Sequence, residues 1–171
     1  MEPLELAKHC DDWLVKNDIP SEVAPMGVKV AIGYFIMIWG VFEYRHLGSS
    51  ASTHTLDKYF KATKPQELLG DRLEPNYEYF KDRYLDDLTS NFRLQLLVHE
   101  DYNSGKALRE ILPSVDPSTD QILRAIVLIC YRLRCNLTHG NKWQHGLGDQ
   151  YKNFCHAAQS LMKIMDFTKT Q

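Results

Sequence analysis

Apolar residues recur at three- and four-residue spacing along almost the whole chain, and no stretch alternates apolar with polar residues between turn pairs of the Asn-Gly kind. The pattern predicts an all-α protein. A first short helix covers Leu4 to Lys16, with Leu6, Cys10, Trp13 and Leu14 as its inward stripe, and the Asp18-Ile-Pro20 turn stops it. The second starts near Pro25, a residue suited to a first helical turn, and runs to about His46 before the Gly48-Ser-Ser-Ala-Ser52 loop. A brief helix from Thr55 to Thr63 and a short segment at Gln66 to Leu69 follow. Pro75 and Asn76 then precede a long pattern from Tyr77 to about His99, in which Phe80, Tyr84, Leu88 and Leu96 or Leu97 recur at helical spacing. A small helix near Ser104 to Leu112 ends before Pro113.

Asp116-Pro117-Ser118 is a strong start signal, because Asp or Ser can cap free amides and Pro suits the first turn. The helix it opens covers about 118–139, and Gly140 stands where a helix end often needs a left-handed residue. The last helix runs from Gly148 to Asp166, with Phe154, Ala158, Leu161 and Met165 facing inward. Four long helices with shorter ones between them predict an up-and-down four-helix-type bundle in one domain, residues 1–171.

The 118–139 helix carries more apolar surface than one core contact requires. Ile122, Ile126, Ile129, Leu133 and Leu137 make one stripe; Leu123, Val127, Cys130, Arg134 and Thr138 make a second. Either the helix is central and buried among its own neighbours, or part of it is a homodimer contact.

Composition narrows the classes. The chain has 171 residues, 44% of them hydrophobic, enough for one core, and a net charge of −2 excludes a surface that is electropositive throughout. Contact with nucleic acid must therefore be local. Cys10, Cys130, Cys135 and Cys155 are irregularly spaced, which points to free thiols and a reduced, cytoplasmic compartment. Glu2 and Glu5 precede the first lysine, the wrong charge order for a secretory signal. The apolar run Val30 to Phe42 falls short of the roughly 20 residues a bilayer span needs, so it is expected to be a core helix and no membrane partner is expected.

Polar residues gather where the 118–139 helix ends. Arg132, Asn136 and His139 are four and then three residues apart and share a face of a regular helix, whereas Arg134 lies roughly 200° round from Arg132. Arg134 joins His139 only if the helix end unwinds or a second copy faces it. Between Asp120 and His145 there are four basic groups, Arg124, Arg132, Arg134 and Lys142, against the one acidic Asp120, giving +3 locally.

Arg132-Leu-Arg134-Cys-Asn136-Leu-Thr-His139-Gly140-Asn-Lys142 resembles the signature of HEPN domains (higher eukaryotes and prokaryotes nucleotide-binding), in which an Arg precedes a His by four to six positions at a helix end. Arg134 fits the four-residue gap and Arg132 the six-residue gap; the common form Arg-Asn-Asn-Leu-Phe-His-Gly favours Arg134. Cys135 replaces the polar residue usual after the Arg, and Thr138 replaces an aromatic. Trp39-Gly-Val-Phe-Glu43 is similar to a tryptophan-to-glutamate segment on an early helix of several such proteins. The resemblance implies a homodimer whose two Arg-His motifs line one cleft and cleave RNA without metal or cofactor. His139 would move protons, Arg134 would hold the phosphate, and Asn136, Arg132, Glu43 and Lys142 would support them. Many relatives are toxins of toxin-antitoxin or antiphage systems, which implies an antitoxin or nucleotidyltransferase as a partner protein.

Other readings compete. Cations at a helix C-terminus complement its dipole whatever else they do. A non-catalytic HEPN-like module that dimerises and binds nucleotide or RNA would keep the same residues. Cys130, Cys135, His139 and His145 lack the spacing of a zinc knuckle. Glu43 is expected either to pair with Arg132 or Arg134 in the core or to sit solvated in a last turn. No nucleophile elbow or glycine-rich phosphate cradle is present in the sequence.

Overall fold

A computed structural model describes residues 3–17, 25–85, 92–99, 101–138 and 147–169. Its helices are α1 (Pro3–Lys16), α2 (Met26–His46), α3 (Thr53–Ala62), α4 (Glu67–Leu85), α5 (Phe92–Val98), α6 (Tyr102–Ile111), α7 (Thr119–Thr138) and α8 (Tyr151–Lys169). A 3-10 turn, Gly148–Gln150, leads into α8, and no strand occurs among the described residues. The all-α class and the four long helices agree with the periodicity.

The four long helices bury their stripes in one core. Phe35, Trp39 and Phe42 of α2 meet Leu73, Tyr77 and Phe80 of α4, Ile126, Ile129 and Leu133 of α7, and Phe154 and Leu161 of α8. Local signals set where each helix begins. Ser52 and Thr55 exchange side-chain and backbone bonds as a capping box for α3, and Ser118 with Gln121 does the same for α7. At the end of α2, Gly48 and Ser49 adopt φ of 62° and 60°, a left-handed reversal that turns the chain back towards the bundle.

Helix directions follow from paired contacts. The rings of Phe35 and Phe154 lie 5.4 Å apart and Gly27 faces Tyr151, so α2 and α8 run together. Arg83 meets Asp149 at one end of α4 while Lys163 reaches Arg72 O at the other, so α4 runs against α8. Trp39 meets Tyr131, and Leu137 packs with Val28 and Leu147, so α7 runs against α2. Thus α4 and α7 share a direction, and α5 and α6 carry the chain back between them. The bundle order is up, down, down, up rather than a simple alternation.

Two boundaries differ from the sequence pattern. Pro75 lies inside α4, and of the Tyr77-to-His99 pattern expected beyond it α4 covers the part to Leu85 and α5 Phe92–Val98, with Leu88 outside the described residues. A proline inside a helix removes a donor and frees carbonyls in the turn before it. Lys163 Nζ, donating to Arg72 O at 2.8 Å and to Asn76 Oδ1, ties the turn around the proline to α8. The other difference is α1. Leu6, Cys10 and Trp13, expected to face inward, are exposed, because the four long helices already close the core; the Asp11–Lys29 ion pair ties α1 to the first turn of α2.

The second stripe of α7 is internal: Leu123, Val127 and Cys130 are fully buried within one chain. Helix α2 is different. Over its 21 residues it is the one described helix long and apolar enough to cross a membrane by length and composition, although the Val30–Phe42 run alone is too short. Its Phe35-Trp39-Phe42 face is core and its opposite face is bare.

Two predictions follow from the packing. A Cβ on Gly70 would stand 2.6 Å from Thr119 Oγ1. Gly70→Ala should cost about 1–3 kcal/mol in urea unfolding, and adding Thr119→Ala should recover most of it. A Gly70→Ala protein as stable as the parent would contradict this packing. The second concerns acid. His156 stacks on Tyr79 at 3.9 Å and accepts from Asn76 Nδ2 at 3.0 Å, since Asn76 Oδ1 is taken by Lys163. Burial, then the Lys163 and Lys152 charges, push its pKa down; burial, then Arg45, do the same to His46. Both take up a proton less readily in the fold than in the unfolded chain, where they protonate below about pH 6.5, so stability is lost as pH falls below that value. The melting temperature should drop between pH 7.5 and 5.5, and by less in His156→Gln.

Candidate functional site at the end of α7

The corner between α5 and α6 is closed by α7. Helix α5 ends on His99 in a left-handed conformation (φ 46°), with the carbonyls of Leu96 and Leu97 left without helical partners. Asn136, which is buried, donates through Nδ2 to Leu97 O at 2.9 Å and Leu96 O at 3.2 Å. Arg132 Nε donates to Leu97 O at 3.3 Å, and its Nη1 pairs with Asp101 Oδ2 at 3.3 Å. Asp101 is also the N-cap of α6, accepting from Ser104 N and Ser104 Oγ. One arginine therefore locks the end of one helix and the start of the next onto α7. The side chains of the Arg132–Asp101 pair are only 12% and 13% exposed.

This geometry separates the two arginines that the sequence left as alternatives. Arg132 and Asn136 do share a face, as their spacing requires, and Arg132 Nη2 reaches Asn136 Oδ1 at 3.5 Å. Their donors are spent on the α5–α6 corner. Both Nδ2 bonds of Asn136 go to this corner, so its amide holds the fold at the end of α7. The Arg134 side chain projects elsewhere, one turn beyond Cys130. It is half-buried, and its guanidinium has no hydrogen-bond or ion-pair partner among the described residues.

Around it the helix end is firmly made. Thr138 Oγ1 donates back to Arg134 O and Cys135 O, satisfying two last-turn carbonyls. Leu137 packs with Val28, Ile32 and Leu147, fixing this end of α7 against the start of α2. Cys135 is buried, so an apolar residue suits a position where the family form carries a polar one. Helix α7 stops at Thr138; His139, Gly140, Lys142 and His145 lie outside the described residues.

The remaining expectations fall differently. Glu43 pairs with neither arginine and is not a free last-turn carboxylate. Its Oε2 accepts from Trp39 Nε1 at 2.7 Å and its Oε1 from Ala51 N at 2.9 Å, so it ties the loop after α2 to the core. The basic patch is also divided, since Arg124 lies over the Phe60 ring and beside Asp57. No cluster of His, Cys, Asp and Glu suited to a metal occurs among the described residues, and the four cysteines are unpaired. Sequence reasoning missed Asp101, although the Asp101-x-x-Ser104 spacing is an N-cap signal.

The two arginines should separate experimentally. Arg132→Ala leaves the largely buried Asp101 carboxylate without its cation and should cost about 3 kcal/mol. Arg134→Ala should cost under about 1 kcal/mol. Chemical denaturation of both variants checks this, and equal losses would refute the division of roles. Comparison of the chain with protein-family models, with curated proteins and with solved structures gives no match.

Proposed function

We propose that this chain is a metal-independent RNA endonuclease of the HEPN type, with His139 as general acid and base and Arg134 as the phosphate-holding group. The observation that carries the reading is the state of the two arginines: Arg132 is locked into the α5–α6 corner, while Arg134, the residue the Arg-to-His pattern selects, keeps its guanidinium free of described partners. A cation without a partner among the described residues, near a helix C-terminus and five positions before a histidine in sequence, is equipped to bind a phosphodiester.

The chemistry needs only these groups. Neutral His139 takes the proton from a ribose 2′-hydroxyl, whose oxygen attacks phosphorus as the bond to the 5′-oxygen breaks. The leaving 5′-oxygen receives a proton from the imidazolium, and the products are a 2′,3′-cyclic phosphate and a 5′-hydroxyl. Arg134 offers its planar fork to the charge that builds on the phosphoryl oxygens, and Lys142 adds a backbone contact. The biological use we propose is a toxin or antiphage effector, held in check by an antitoxin protein.

A second reading has its own support. Arg132 and Asn136 are consumed structurally, so the motif would persist in a chain that binds RNA or nucleotide without cutting it. A labelled RNA incubated with purified protein in EDTA decides between them. Cleavage to cyclic-phosphate ends, lowered at least about 100-fold in His139→Ala and Arg134→Ala with unchanged melting temperature, is the expected result. Intact RNA with the parent protein, or equal cutting by His139→Ala, sinks the nuclease.

A further inference from the structure

The face of α2 that the core leaves bare is ordered by a seven-residue period. Val30, Tyr34, Met37, Val41 and Tyr44 follow one another at intervals of four, three, four and three residues, and each is 40–73% exposed. This is the seam spacing of a helix that packs along another helix. Gly33 and Gly40, seven apart on the same side, have nothing within 4 Å of a built Cβ. A second backbone can therefore approach closely there.

We propose that this face pairs with the same face of a second copy, antiparallel and centred on Met37. Three observations select a second copy as the occupant. The first is area: with roughly 200 Å² on a fully exposed tyrosine or methionine, the five side chains present roughly 600 Å². Met26, also exposed and on the same side, extends the face towards the roughly 800 Å² per partner of a stable interface. The second is self-complementarity. About a twofold axis at Met37, Tyr34 lies over Gly40 and Tyr44 over Val30, large on small at each step, whereas a parallel pairing sets Tyr34 on Tyr34 and Tyr44 on Tyr44. The third is that no other described part of the chain covers it. The groove between α1 and α2, about 380 Å³ and lined by Cys10, Leu14, Met26 and Val30, ends at the first turns of α2 and leaves Tyr34 to Tyr44 open. A lipid surface fits less well, because two tyrosines sit along the face and its nearest lysine, Lys29, is paired with Asp11.

The arrangement has a consequence for the end of α7. Val28, beside Leu137, lies nine residues from Met37, so at 1.5 Å per residue the two α7 ends stand roughly 25 Å apart along the α2 axis. Pairing through α2 sets these ends apart along the axis, in contrast to the shared cleft implied by the family resemblance. Pairing through α2 does not depend on whether the chain cleaves RNA.

Sedimentation of the full chain from about 1 to 100 μM is the test. The parent should be a dimer, and Met37→Glu, which places two carboxylates at the axis, should weaken association by about 100-fold with unchanged helicity and melting temperature. In a Cys10→Ser background, mixed Val30→Cys and Tyr44→Cys chains should form a disulfide under mild oxidation, and Tyr44→Cys chains alone should not. A parent that is monomeric at 100 μM overturns the proposal, as does a Met37→Glu chain that remains dimeric. A Tyr44→Cys chain that cross-links to itself, or a monomer that floats with phosphatidylcholine–phosphatidylserine vesicles, does so too.

Discussion

The backbone carbonyls at the end of α5 are the constraint on which this bundle turns. A seven-residue helix that stops against the body of the protein leaves carbonyls that water does not reach, and each must find a donor or cost about 1–3 kcal/mol. α7 supplies those donors through Arg132 and Asn136, and the same arginine neutralises the aspartate that caps α6. The α5–α6 corner is thereby held on the flank of α7. That corner lets the chain return to the starting end, so that α4 and α7 run side by side in the same direction.

Meeting this demand divides the polar residues at the end of α7. Arg132 and Asn136 face the corner and are fully engaged; Arg134, on another side of the helix, is not. Buried polar groups with every partner satisfied make poor ligands for a substrate, because binding would first have to break the bonds that hold the fold.

Helix α2 is divided in the same way between two faces, but both are apolar. One is closed by aromatic packing with α8, α7 and α3; the other is covered by none of the described residues. An aliphatic and aromatic surface at seam spacing remains in water only at a free-energy cost that a second helix would remove, at about 25 cal/mol per Å². Glu43 shows how tightly the inner side is finished, since even a carboxylate near the helix end is held by the Trp39 indole and the Ala51 amide.

Much of this was legible in the residues. Periodicity alone gives the all-α class, the four long helices, the inward stripe of α8 and the start of α7 at Ser118, because each depends on interactions within a few residues. It misplaced the break near Pro75, because the turn around the proline is held by contacts across the bundle, among them Lys163 with Arg72 O and Asn76 Oδ1. It also placed the apolar stripe of α1 in a core that other helices had already filled. The choice between Arg132 and Arg134 was beyond it for the same reason. Spacing says which residues share a helix face. Which of them are spent on holding the chain together depends on what that face meets, and only the packed α5–α6 corner decides that.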